Sequence, residues 1–174
     1  MKRIKAWHFI KEDYRLRYSN QEVKAGDTVT VNGPVKLCEH GLHASRRVID
    51  ALRYAPGPIV CRVVMSGDII EGDHKLVASE RYIEWTLDVT WILHEFACWC
   101  AEQALKQANV KDTRCWNAIA TKRKWLDHEA TDHEFAAAWA AAGGVAMAAA
   151  WDASWDAAGD TQNRKLTRML MSAD

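Results

Sequence analysis

Cys38, His40 and His43 stand close enough together to ligate a metal ion, and a strand over this stretch would put side chains 38 and 40 on the same face. A fourth ligand is missing, and no second Cys/His cluster stands at zinc-finger spacing. A turn with ordinary polar side chains is therefore the better reading, and no metal is expected. A different constellation comes from His43, Ser45, Lys75, Glu80 and Glu84, the polar residues on or beside strand-like segments that most resemble a site. A strand-borne His could contact a ligand hydroxyl and a Ser could orient it, while a Glu could polarise a reacting hydroxyl or act as a base. The plainer alternative makes His43 and Ser45 local hydrogen-bonding and capping groups, with Glu80 and Glu84 the solvent-facing half of an alternating strand.

Other groups carry less chemistry. Cys98 and Cys100 fall on different faces of a helix and form no Cys-x-x-Cys redox pair. The five cysteines show no spacing of the kind used by disulfide frameworks, which points to reduced thiols. Lys122-Arg123-Lys124 reads as a solvated helix end. Basic and acidic side chains both number 23, so net charge gives no reason to expect nucleic acid, an anionic membrane or an acidic substrate. No apolar run approaches the ~18 residues of a membrane span, and the basic N-terminus lacks a signal-peptide core, which together predict a cytoplasmic protein.

The elements that must position these residues form an α+β pattern. Residues 3–10 alternate with period 2 and suit a half-buried strand. The run TVTV before Asn32-Gly33-Pro34 is a second strand, and KLCEHGLHAS is a third, broken at Gly41. Ser45 could cap a short helix over about 45–55, ended by Pro56-Gly57-Pro58. IVCRVVMSGDII is the most β-branched stretch and so the expected central strand, followed by LVASERYIEW.

Beyond Asp88 the texture is helical. In residues 89–107 Ile92, Phe96, Trp99 and Gln103 share one stripe, with Leu93, Ala97, Cys100 and Ala104 beside it. Thr131 and Glu134 fit a capping box that opens an Ala/Trp-rich tract, which runs on past Gly143-Gly144, and a last short helix carries Leu166, Met169 and Leu170. The expected architecture is a twisted, mostly antiparallel sheet with one short helix over residues 1–88, packed on a bundle of three to five helices over residues 89–174 and sharing its core.

Two stretches resemble known families. The segments from Lys5-Ala6-Trp7 through Cys38-Glu39-His40-Gly41-Leu42-His43-Ala44-Ser45 and Ile59–Val64 to Lys75-Leu76-Val77-Ala78-Ser79 resemble an uncharacterised phage- and prophage-associated domain with a Cys-x-x-Gly-[Phe/Leu]-His-Ala signature. Their order is also remotely similar to small ADP-ribosyltransferases of the rifampicin-modifying type. That resemblance implies an NAD site at His8, His43 and Lys75, with His43, Ser45 and Glu80 or Glu84 as catalytic groups. The helical half, from Cys100-Ala101-Glu102-Gln103 through Trp116 and Trp125 into the Ala/Trp tract, looks like Ala-rich helical immunity proteins found beside phage genes, which implies a protein partner.

Two functions follow as expectations. The first is a phage- or mobile-element-type accessory protein that binds and inhibits a host or defence protein through its helical half, in the manner of anti-CRISPR proteins and without a cofactor. Its contact anchors would be drawn from Trp91, Trp125, Trp139, Trp151 and Trp155. The second is an ADP-ribosyltransferase-like enzyme that uses NAD to modify a macromolecular target.

Overall fold

Alternating and β-branched runs in the first half become strands. In the computed structural model, which describes residues 2–142 and 159–173, β1 spans Ile4–Ile10, β2 Thr28–Thr30, β3 Leu42–Ala44, β4 Ile59–Glu71 and β5 Leu76–Asp88. A single short helix, α1, covers Val48–Leu52. All pairings are antiparallel and run β1-β4-β5-β2, with β3 also on β5. The β-branched β4 is flanked on both sides, as its composition predicts. β2 and β3 lie along the same edge of β5, opposite residues 80–82 and 76–78 respectively.

The sheet then returns on itself. Immediately after β3, Ser45 exchanges both backbone hydrogen bonds with Trp7 of β1, at 2.7 and 2.9 Å. The path β1-β4-β5-β3-β1 is thereby closed. Ile4, Ala6 and Ile10 join Leu42, Ala44, Cys61, Val63, Met65, Leu76, Ala78 and Ile83 in one core. β1 is more than half-buried, however, since Trp7 and Phe9 on its opposite face are also buried. α1 lies against β1, and its Val48 and Ala51 are buried as well.

Two local expectations are corrected. Lys36–Cys38 is not a strand but part of a tight loop in which Lys36 and His40 exchange backbone hydrogen bonds and Cys38 takes φ +69°. Ser45 does not cap α1: the residue preceding that helix is Arg47, which makes no side-chain cap bond, because the Ser45 backbone is committed to Trp7.

The chain divides into two compact units, Met1–Thr90 and Trp91–Asp174. Among the described residues the second unit holds α2 (Thr90–Gln107), α3 (Thr113–Leu126), helical backbone over 132–142 (α4) and α5 (Gly159–Met171). The face of α2 that packs on α3 is Cys98 and Leu105, against Cys115 and Ile119, and only Phe96 and Ala104 of the expected stripe are buried. Arg123 ties the pair together by bonding Glu95 at 3.0 Å and Glu102, so the basic run at 122–124 is not simply a solvated end. Gly143-Gly144, Trp151 and Trp155 lie outside the described residues.

The capping box at the start of α4 is formed in both directions. The Thr131 Oγ1 accepts from the Glu134 N–H at 3.2 Å, and the Glu134 carboxylate accepts from the Thr131 N–H at 2.8 Å. Thr131→Ala is expected to cost about 1 kcal/mol. A urea titration of the full chain followed by circular dichroism measures it, and Thr131→Ser should restore most of the loss.

Candidate functional site

The seam where β3 meets β1 holds a cleft of about 50 Å³. Trp7, His8 and Phe9 form one lip, His43, Ala44 and Ser45 the other, and Ala51, Tyr54 and Lys75 complete it. The fold thus brings together His8, His43, Ser45 and Lys75 from three separate stretches of the sequence. Glu80 and Glu84 do not line the cleft. Glu80 accepts from the Ser66 hydroxyl at 2.7 Å, and Glu84 pairs with Lys5 at 3.1 Å and Arg62 at 4.0 Å. Arg62 in turn lies 4.4 Å over the Trp7 ring, so Glu84 reaches the cleft only through two intervening side chains.

His43 is held by backbone. Its Nε2 accepts the Cys38 N–H at 2.9 Å, and an imidazole N–H bonds the Gly41 backbone. A neutral ring accepting at Nε2 carries its proton on Nδ1, so both nitrogens are used in folding the loop at 36–41. Burial, more than the charges of Lys75 and Arg81, keeps this imidazole below its ordinary pKa. The Cys-x-x-Gly-Leu-His-Ala stretch is therefore a clamp. Cys38 turns the chain in a left-handed conformation, Gly41 occupies φ +122° where a Cβ would meet Val77, His43 ties the loop down, and Ala44 fits into the core. His40 is directed elsewhere, with its Nε2 2.9 Å from the Asn32 carbonyl. Among the described residues no group of three or more His, Cys, Asp or Glu gathers at metal-binding distance.

His8 is different, because it lines the cleft and its ring makes no hydrogen bond among the described residues. Its pKa is lowered well below the ordinary histidine value, first by burial and then by the charges of Arg81 and His43. Lys75 sits 4.7 Å over the Tyr54 ring and shares a hydrogen bond with the Cys38 thiol, which raises its pKa. The ammonium stays charged.

The residue that reasoning from the sequence missed is Arg81. It is 2% exposed, and its Nη1 donates to the His43 carbonyl at 3.1 Å. Burial lowers its pKa to about 10, and burial likewise pushes the neighbouring Cys61 thiol up to about 12 against the opposing Arg81 charge. Period-2 spacing was the available signal, since Arg81 stands two residues before the core residue Ile83.

The helical unit carries a second feature. Trp91 and Trp139 are each 51% exposed. Between them runs a series of ring contacts: Trp91 to Trp125 at 5.8 Å, Trp125 to Phe135 at 5.8 Å, and Phe135 to Trp139 at 6.0 Å. Lys122 lies over Trp125 and Phe135 at 3.8 and 4.5 Å, a cation–π arrangement. Trp125 Nε1 also donates to Asp132 at 2.6 Å.

Fold and site together define an α+β protein with a closed, clefted β unit followed by helices. By its sequence the chain belongs to the family described as Domain of unknown function (DUF7666), matched over residues 4–95, a span that runs from β1 into the first part of α2. No curated protein and no solved structure matches it. No helix among the described residues is long and apolar enough to cross a membrane.

Proposed function

We propose that this protein works by binding: it is an accessory protein of the phage or mobile-element type whose helical unit contacts and inhibits a host or defence protein. The observation that carries this reading is the continuous series of rings from Trp91 to Trp139, exposed at both ends. Interfaces are enriched in Trp, and such anchors contribute about 2 kcal/mol or more each when they seat in a partner's pocket. The partner it fits presents apolar pockets bordered by carboxylates that meet Lys122. A cytoplasmic location accords with this role.

A second reading, an ADP-ribosyltransferase-like enzyme using NAD, is favoured by the meeting of His8, His43, Ser45 and Lys75 at one cleft. It lacks an acid there, because Glu80 and Glu84 are engaged elsewhere, and the His43 ring is spent on backbone.

Bacterial strains that each carry one defence system, challenged with a phage that system restricts, separate the two. The full chain is expected to restore plating in at least one strain. Trp91→Ala or Trp139→Ala should weaken binding to the responsible defence protein by roughly 30-fold and lose the rescue, while His8→Gln keeps both. Transfer of ADP-ribose from NAD to that protein, lost in His8→Gln while binding persists, would establish the second reading instead. Failure to restore plating against every system would overturn the first.

A further inference from the structure

Arg81 poses a problem that the fold leaves unsolved. A guanidinium removed from water is costly unless a carboxylate or another anion offsets it, and Arg is suited to meeting oxyanions with several donors at once. Here one Nη1 bond to the His43 carbonyl is the partner found, and the buried Nε has none. No carboxylate among the described residues pairs with it. The one buried acid among the described residues, Asp50 of α1, faces Arg47 at 3.6 Å and His74 at 3.9 Å instead. The guanidinium is one hydrogen bond from the cleft wall, through the carbonyl of His43, which lines one lip opposite His8.

Two donors line this space, the unbonded His8 ring from β1 and the Lys75 ammonium at the mouth, while Arg81 lies behind it on the His43 carbonyl without lining it. We propose that the cleft between β1 and β3 binds a phosphoryl group, held by Lys75 with His8 as a further donor, whose charge offsets the buried Arg81 guanidinium behind the His43 carbonyl. A volume of about 50 Å³ admits one such group and little more. A tetrahedral oxyanion accepts from several directions at once, which a planar carboxylate does less well. Tyr54, 47% exposed and stacked beneath Lys75, offers a platform at the mouth for whatever carries the phosphate. This site does not depend on the protein-contact reading, because every group in it belongs to the β unit.

The test follows the imidazole signals of the full chain by nuclear magnetic resonance while inorganic phosphate or adenosine monophosphate is added against a chloride control of equal ionic strength. Phosphate is expected to shift the His8 signals, to raise the His8 pKa and to raise the unfolding temperature. Lys75→Gln, a change at a half-buried side chain outside the core, should weaken binding about tenfold, the loss of one charge-assisted bond. Adenosine monophosphate binding more tightly than phosphate, with the gain abolished by Tyr54→Ala, identifies a nucleotide as the carrier. Equal affinity identifies free phosphate or a small phosphate ester. The proposal is overturned if neither compound, up to about 10 mM, moves the His8 signals beyond the chloride control. It is overturned equally if Lys75→Gln responds as the parent does.

Discussion

Gly41→Ala is expected to destabilise the β unit by about 3 kcal/mol or more. The φ of +122° at this position is one that L side chains rarely adopt, and a Cβ there would lie 2.4 Å from Val77 Cγ2 and 3.2 Å from Val35 Cγ1. Val77 is fully buried and cannot move aside. Gly33→Ala supplies the comparison, since Gly33 also has a positive φ of +88° but its Cβ would meet nothing closer than 4.0 Å. Backbone strain alone should cost about 1 kcal/mol there. Urea titrations of both variants measure the difference. Equal losses at the two positions would show that crowding against Val77 is not what makes Gly41 necessary. Because the Gly41 backbone also bonds the His43 ring, the same variant should loosen the clamp over residues 36–41 and speed hydrogen exchange of the Cys38 amide, which donates to that ring.

Stability should fall as the pH drops below about 6.5, by up to ~1.4 kcal/mol per pH unit from His8 alone. His8 is held below its ordinary pKa in the folded chain, by burial first and the Arg81 charge second, so in this window the unfolded chain binds more protons than the folded one. The neutral ring's contribution is complete above the unfolded pKa and is lost progressively as pH falls toward the folded value. His43 and His94 are lowered too and add in the same direction. The lowered carboxylates, among them Glu71, Asp88 and Glu102, act only beneath their own ordinary range near pH 4, so they do not account for losses between pH 6.5 and 5. Urea midpoints across that interval, compared with those of His8→Gln, give the slope. An unchanged slope in the variant would remove His8 from the account.

What the sequence discloses about this molecule is mainly what depends on near neighbours. Thr131 and Glu134 sit three residues apart and form the box their spacing predicts, and the β-branched run of β4 lies between two partners. Ser45 shows the opposite case. Its type and place before Val48 suit a cap, but a backbone partner 38 positions earlier in the chain claims it, and local pattern carries no information about that pairing. His43, Ser45, Lys75 and His8 meet at one cleft, whereas Glu80 and Glu84 do not, because alternation says which face a strand residue takes but not what that face meets. Arg81 is concealed by its chemistry, since a charged residue in a strand is ordinarily placed in solvent. On α2 the buried face is chosen by Cys115 and Ile119 of α3, which a stripe drawn from one helix cannot anticipate.

The single Trp7–Ser45 pair that closes the sheet gives the β unit two grades of seam. Along β1 and β4 seven consecutive residue pairs act together, so amide protons there exchange with solvent only when the whole ladder parts. At the return to β1 one pair stands alone, and its two amides exchange when that pair separates. The ring is a zipper on one side and a button on the other. Because the button lies between the lips of the cleft, the deuterium uptake of Trp7 and Ser45 reports how often the lips part, on a clock independent of global unfolding.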